Sequence, residues 1–130
     1  MLKSLVSVAV IAASLSVVTP AQASVESELQ NICTIVKADD KGQLRKKLSS
    51  VQKNFKLKLQ DYYSGISCSG DSLIRTAFVN GAVEAGSLLV KKMPKSQLNA
   101  PEQDGKTLRA WVSENNLMDS PIASVLNERI

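Results

Sequence analysis

The segment GDSLIRTAFVNGAVEAGSLLVKK, residues 70–92, contains a complete helix–turn–helix pattern and decides our interpretation of the fold. Asp71 or Ser72 can cap a first helix. The dipeptide Asn80-Gly81 tolerates the left-handed backbone that ends such a helix. A second helix is expected over Ala82–Lys92. Apolar residues recur at helical spacing in both halves, at Leu73, Ile74, Ala77, Phe78, Ala85, Leu88 and Leu89.

The chain before this segment shows the same pattern. An amphipathic helix is predicted from residue 25 to about residue 38, where Asp39-Asp40-Lys41-Gly42 has the composition of a turn. We expect the next helix to end near Asn54, with an extended loop from there to residue 71. The apolar positions supporting the two helices are Val25, Leu29, Ile32, Cys33 and Val36, then Leu44, Leu48, Val51 and Phe55.

The chain after the segment adds a third pair. A polar loop is expected over residues 94–106, followed by a helix that Thr107 caps and Asn115-Asn116 ends. Ser120-Pro121 predicts the start of the last helix, since it joins a capping residue to a proline at the first helical position. The sequence therefore predicts an all-α fold of six short helices in about three pairs, with short turns within pairs and long loops between them.

This repetition resembles ankyrin repeats. Gly70-Asp-Ser-Leu-Ile-Arg-Thr-Ala77 resembles the opening of such a repeat, Asn80-Gly81-Ala82 its middle turn, and Leu88-Leu89-Val90 its paired leucines. Asn99-Ala100 with Asp104-Gly105-Lys106-Thr107-Leu108 is similar to the hairpin that leads into a following repeat. The resemblance implies a short ankyrin-like array in which stacked helix pairs share one core.

The spacing of two glycines also fits the ankyrin pattern, while three features of the chain depart from it. Gly70 and Gly105 are 35 positions apart, close to the family period of about 33. Asp39-Asp40-Lys41-Gly42 is similar to a degenerate first repeat. The proline that starts the first ankyrin helix is absent, and the histidine of the opening is replaced by arginine. The loop over residues 55–71 is longer than a standard ankyrin hairpin.

Residues 1–23 have the pattern of a cleavable secretory signal peptide. Lys3 supplies the positive charge, Leu5–Val18 is apolar, and Ala21-Gln22-Ala23 is a small-x-small cleavage site. A permanent membrane anchor is the alternative, but the apolar run of about 14 residues is shorter than the roughly 20 that a spanning helix needs. We expect cleavage after Ala23, which leaves residues 24–130 as a single domain, not transmembrane, in the periplasm or outside the cell.

The chain has two cysteines, Cys33 and Cys68. In an oxidising compartment a lone pair most simply forms one disulfide. The alternative is a redox-active pair, which the absence of a Cys-x-x-Cys motif disfavours. The segment Cys68-Ser-Gly-Asp-Ser-Leu73, in an exported chain with two cysteines, is similar to a family of small uncharacterised exported proteins from proteobacteria. That resemblance implies no assigned activity.

The sequence contains no histidine. This excludes Ser-His-Asp and Cys-His catalysis and the usual zinc ligand sets. There is also no paired-carboxylate signature, so we expect no enzymatic activity, no catalytic residue, no metal and no cofactor. The formal net charge of +4 is only mildly basic, and an exported protein would rarely meet nucleic acid, so no nucleic-acid partner is expected.

Two surfaces are candidates for partner contact. Lys58, Tyr62 and Tyr63 lie in the longest predicted loop, where they would project toward a protein partner unless the tyrosines pack beneath the loop. The second helix carries a basic face that could meet anionic lipid, lipopolysaccharide or an acidic protein, unless it is a merely solvated face. The basic run comprises Arg45, Lys46, Lys47, Lys53, Lys56 and Lys58.

The functional hypothesis from the sequence is a non-catalytic protein-interaction module in the bacterial periplasm. The alternative is an envelope-surface binder of anionic lipid or lipopolysaccharide, acting through the basic face of the second helix. The pair Asp39-Asp40 could bind a cation, but adjacent carboxylates at a turn are more often helix caps.

Overall fold

The computed structural model describes the backbone of residues 20–130 and the side chains of residues 25–130. Residues 1–19 of the predicted signal peptide lie outside the described residues. The described chain is helical, without a strand, so the all-α prediction is confirmed. Its α-helices are α1 (Pro20–Lys37), α2 (Lys41–Phe55), α3 (Leu59–Tyr62), α4 (Leu73–Val79), α5 (Val83–Lys92), α6 (Lys95–Leu98), α7 (Leu108–Glu114) and α8 (Pro121–Arg129). None of these helices combines the length and apolar character needed to cross a membrane.

The six predicted helices are all present, and two single-turn helices, α3 and α6, occupy parts of the predicted loops. Each short helix is anchored by a buried leucine, Leu59 and Leu98 respectively. α2 ends at Phe55 because Lys56 adopts a left-handed backbone, with φ of 60°, and its N–H donates to the carbonyl of Gln52. Because α3 lies within the loop after Asn54, the expectation of extended chain throughout that loop was wrong.

The first four long helices pack as two successive pairs. α1 packs on α2 and α4 packs on α5, while α1 also contacts α4 and α2 contacts α5. α8 packs on α5, and α7 contributes Leu108, Trp111 and Val112 to the same core. The rings of Phe78 and Trp111 meet edge to face with their centroids 5.9 Å apart. One continuous hydrophobic core therefore runs through the pairs.

The turns that follow α1, α4 and α7 are built the same way. A left-handed residue with φ between 55° and 63° follows the first helix, and it is Asp39, Gly81 or Asn116. The next N–H reaches back to the carbonyl five residues earlier, which is the hydrogen bond of a Schellman motif. These bonds are Asp40 N to Ile35 O at 3.3 Å, Ala82 N to Ala77 O at 2.8 Å, and Leu117 N to Val112 O at 2.9 Å.

The entries to α4 and α7 are also alike. Gly70 and Gly105 both have positive φ, of 95° and 83°. Two residues later, Ser72 and Thr107 cap the helices, accepting hydrogen bonds from backbone N–H groups three residues on. The 35-residue spacing read from the sequence is therefore matched by equivalent backbone geometry at both positions.

Asp39 and Asp40 are helix caps, as the more favoured interpretation predicted. Oδ1 of Asp40 accepts from the N–H of Gln43 at 3.1 Å and caps α2. Oδ1 of Asp39 accepts from the N–H of Ala85 at 2.8 Å. The cap position of α5 itself is Ala82, which has no side-chain acceptor. Asp39 therefore supplies the missing cap to α5 from the preceding helix pair.

The disulfide Cys33–Cys68 is present, as predicted. It joins α1 to the tight turn 68–71, in which Cys68 and Asp71 exchange backbone hydrogen bonds. Both cysteines are buried. The bond therefore attaches the first helix pair to the start of the second.

Candidate functional site

A groove of about 360 Å³ opens between segments 63–72 and 97–104. Arg75, which is 6% exposed, lies at its floor. The guanidinium donates to Asp104 through Nη1 to Oδ2 at 2.7 Å and Nη2 to Oδ1 at 3.0 Å. Nη2 also donates to the carbonyl of Lys106 at 3.2 Å, and the group lies 5.1 Å from the ring centroid of Trp111.

Glu102 completes the same polar network. Its Oε1 lies 2.7 Å from Nε of Arg75, a charge contact rather than an aligned hydrogen bond. The hydroxyl of Tyr63 donates to Oε2 at 2.6 Å, and that of Ser72 donates to Oε1 at 2.9 Å. The network therefore ties the loop before α4, α4 itself and the turn before α7 into one unit.

The electrostatics of this network favour a structural role. Burial raises the pKa of Tyr63 well above its ordinary value, and the negative charge of Glu102 adds to the effect. The hydrogen bond from Arg75 lowers the pKa of Asp104. Both shifts move the groups away from neutral pH, where a general acid or base works best. The guanidinium of Arg75 is thus paired with two carboxylates, those of Glu102 and Asp104.

The sequence contained a partial signal for this network. Arg75 stands where the ankyrin opening has its histidine, and acidic residues follow in the predicted hairpin. Asp104 stood out only as part of the hairpin-like segment and Glu102 not at all, because local patterning does not specify partners 27 and 29 positions from Arg75. Through its guanidinium, Arg75 links α4 to the turn that precedes α7.

Tyr62 and Tyr63 do not project from their loop. Their exposed fractions are 6% and 7%, so the two rings pack beneath the loop, which was the alternative to projection toward a partner. The physical reason is the single turn of α3, in which Leu59 and Tyr62 share one face and turn inward together. Of the three residues assigned to partner contact, only Lys58 is exposed. Burial of the two tyrosines does not support contact with a partner through this loop.

Five exposed cations follow one side of α2 and the residues after it, and we call them the basic face: Arg45, Lys46, Lys53, Lys56 and Lys58. At about 100° per residue, the three of these cations that lie within α2, Arg45, Lys46 and Lys53, fall within about a third of the helix circumference, over roughly 12 Å. None of the five forms an ion pair with another described residue. The structure therefore brings these predicted cations together on one surface.

Lys47 does not belong to this surface. Its side chain is 18% exposed and its Nζ lies 2.7 Å from Oε1 of Glu28 on α1. Position 47 lies three residues after the buried Leu44 and four before the buried Val51, so its side chain shares their side of α2. Lys47 is thus a packing residue that joins α1 to α2.

A shallow depression marks the end of the basic face nearest the C-terminus of α2. It has a volume of about 590 Å³ and is lined by Ser49, Gln52, Lys53, Lys56 and Lys58. Asp61 lies beside it, where its carboxylate accepts the backbone N–H of Lys58 at 2.8 Å. The exposed side chains of α2 are all polar, and the helix buries Leu44, Leu48 and Val51. The depression is lined by hydrogen-bond donors without a carboxylate among them.

In the part of the chain that the structure describes, no three side chains of cysteine, aspartate or glutamate are grouped so that they could hold a metal ion. Residues 32–100 match the model of a family described as "Protein of unknown function (DUF3718)". The matched segment includes both cysteines, the whole basic face and Arg75, and it ends just before Glu102. Searches of curated proteins and of solved structures gave no match.

Proposed function

We propose that this chain, which belongs to the family described as "Protein of unknown function (DUF3718)", is a non-catalytic binding module that works after export and holds an anionic partner on its basic face. One observation carries the proposal: five exposed cations share one side of the molecule without an ion-pair partner among the described residues. Such a cluster raises the local positive potential and attracts anions. Exposed charges that stabilise no folded contact are available for a partner.

A non-catalytic role is supported by the chemistry of the groove. Four of its ionisable side chains contact one another, because Arg75 pairs with Glu102 and Asp104 and the hydroxyl of Tyr63 donates to Glu102. The sequence contains no histidine, which is the side chain that titrates nearest to neutral pH. The network in the groove thus joins neighbouring segments of the fold. We expect binding to take place on the exposed surface instead.

Export to the periplasm is supported by the disulfide, because such bonds persist in oxidising compartments. An ankyrin-like arrangement is supported by the three Schellman turns and by the equivalent entries to α4 and α7. In arrays of this kind, stacked pairs present an extended surface for partners. The basic face lies on α2, the second helix of the first pair.

The test compares two variants of equal charge on two anionic probes, a polyglutamate peptide and phosphatidylglycerol vesicles. The first variant replaces the five cations of the basic face by glutamine. The control replaces five exposed cations elsewhere by glutamine: Lys37, Lys91, Lys92, Lys95 and Arg109. We expect the first variant to lose binding to the preferred probe and the control to keep it. Equal loss in both variants would mean that net charge alone drives binding, and the proposal would fail.

A further inference from the structure

We infer that the anionic partner is a phospholipid surface, and that the depression at the end of α2 is the subsite for a lipid phosphate. The inference rests on the proposed function, since it names the partner class of the same basic face. The depression gathers three ammonium groups, a hydroxyl and an amide, from Lys53, Lys56, Lys58, Ser49 and Gln52.

The lining chemistry fits a phosphate group. Lysine ammonium groups bind phosphate as compact charges, and serine and glutamine can donate neutral hydrogen bonds to the remaining oxygens. No carboxylate is among the described residues that line the depression, and Oδ2 of Asp61 accepts the backbone N–H of Lys58. A phosphate oxygen entering the depression therefore meets donors on several sides.

The backbone of Lys56 is the second observation. Its φ of 60° is a left-handed conformation that glycine or asparagine adopts more readily than lysine. The C-cap hydrogen bond uses the backbone N–H of Lys56, which every residue except proline possesses. The Lys56 ammonium contacts the carbonyl of Lys53 only at the long distance of 3.5 Å. The fold therefore gains little from the lysine side chain, which instead adds a third ammonium to the depression.

The composition of the face favours a membrane over an acidic protein. Protein interfaces have an apolar core with aromatic residues at the points of strongest contact. The exposed side chains of α2 are all polar. Among the described residues, the large exposed apolar side chains are Val79 and Met118, which lie outside α2. A surface that offers only charge and hydrogen-bond donors suits an array of lipid head groups, which it would bind peripherally and reversibly.

The experiment measures binding of the exported protein to phosphatidylglycerol vesicles, neutral phosphatidylcholine vesicles and the polyglutamate peptide. The variants are Lys56→Gln and Lys56→Gly, and the control is Lys91→Gln, an exposed lysine on α5. Each Lys56 variant should bind phosphatidylglycerol vesicles about fivefold more weakly, the effect of one cation near an anionic membrane. The control should bind as the parent protein does. Lys56→Gly should unfold at the same temperature as the parent or higher, so its weaker binding would not reflect misfolding.

Two results would overturn the inference: unchanged vesicle affinity in both Lys56 variants, or tighter binding of the parent protein to polyglutamate than to the vesicles. The second result would indicate an acidic protein partner and leave the proposed function standing. Failure of the proposed function looks different. The variant with all five cations replaced would then bind both probes as well as its matched control does.

Discussion

The guanidinium of Arg75 and the carboxylate of Asp104 form a two-point ion pair, with nitrogen–oxygen distances of 2.7 and 3.0 Å. The pair joins α4 to the turn that precedes α7. Arg75 is buried while Asp104 remains partly exposed. Glu102, the other partner of Arg75, is nearly as buried as the arginine, so these two charges depend on each other.

Replacing Arg75 by alanine should destabilise the protein by about 3 kcal/mol, since removing one member of a buried ion pair leaves the other uncompensated. Glu102 is the residue left without a counter-charge. The measurement is urea denaturation followed by circular dichroism. Arg109→Ala is the control because Arg109 is an exposed arginine in α7. Equal effects of the two substitutions would contradict a structural role for the Arg75 network.

Acid should weaken the fold through Asp104. Its pKa is lowered from the ordinary 3.8 by the hydrogen bond from Arg75, so the folded state binds a proton less readily than the unfolded state. The stabilisation is complete above the ordinary pKa and is lost as the pH falls below it toward the folded-state value. The free energy of unfolding of the parent protein should therefore decline below about pH 4. Asp104→Asn should flatten that decline when the free energy of unfolding is measured at several pH values. The same decline in the variant as in the parent protein would contradict the role given to Asp104.

Removal of the hydroxyl group should affect the stability of the protein differently at Tyr62 and at Tyr63. The hydroxyl of Tyr63 contacts Glu102 and Ser72 at 2.6 and 2.9 Å, so Tyr63→Phe should cost about 1–3 kcal/mol of stability. The hydroxyl of Tyr62 is buried without a hydrogen-bond partner among the described residues. Tyr62→Phe should therefore be neutral or slightly stabilising. Thermal unfolding of the two variants distinguishes them, and a larger loss at Tyr62 would show that the packing is misassigned.

Gly86 should not tolerate a methyl group. A Cβ at this position would lie 2.6 Å from Cδ1 of Ile122 and 3.0 Å from Cβ of Ala77, where α4, α5 and α8 meet. Gly86→Ala should destabilise by about 1–3 kcal/mol through overpacking. Gly42→Ala in α2 is the matched control, since its nearest contact would be an ordinary 3.7 Å from Asp40. A neutral Gly86→Ala alongside a destabilising Gly42→Ala would reverse the expected order.

Local signals in the sequence predicted much of the fold. The turn Asn80-Gly81 and the start Ser120-Pro121 specify their own geometry, so the helices on either side were found from neighbouring residues. The caps at Ser72 and Thr107 follow the same logic. These features depend on contacts a few positions apart, which a pattern of side chains encodes directly.

Local sequence patterns did not predict contacts between distant segments. The bond from Ala85 to Asp39 spans 46 positions, and no local pattern assigns the carboxylate to α5. Lys47 turns toward Glu28 while Lys46 faces solvent, a choice set by how α2 packs on α1. The burial of Tyr62 follows from a single-turn helix too short to give a periodic signal. The cations of the basic face could therefore be predicted from the sequence. The buried network around Arg75 could not, because it depends on how distant segments pack.

The most direct test of the basic face is its affinity for phosphatidylglycerol vesicles, measured at increasing salt for the parent protein and for the variant with all five cations replaced by glutamine. Exposed charges are screened by salt, so the parent protein should bind more weakly as salt rises. The variant should bind weakly throughout and respond little. Affinity that ignores salt, or that is the same in both proteins, would contradict an anionic partner on the basic face.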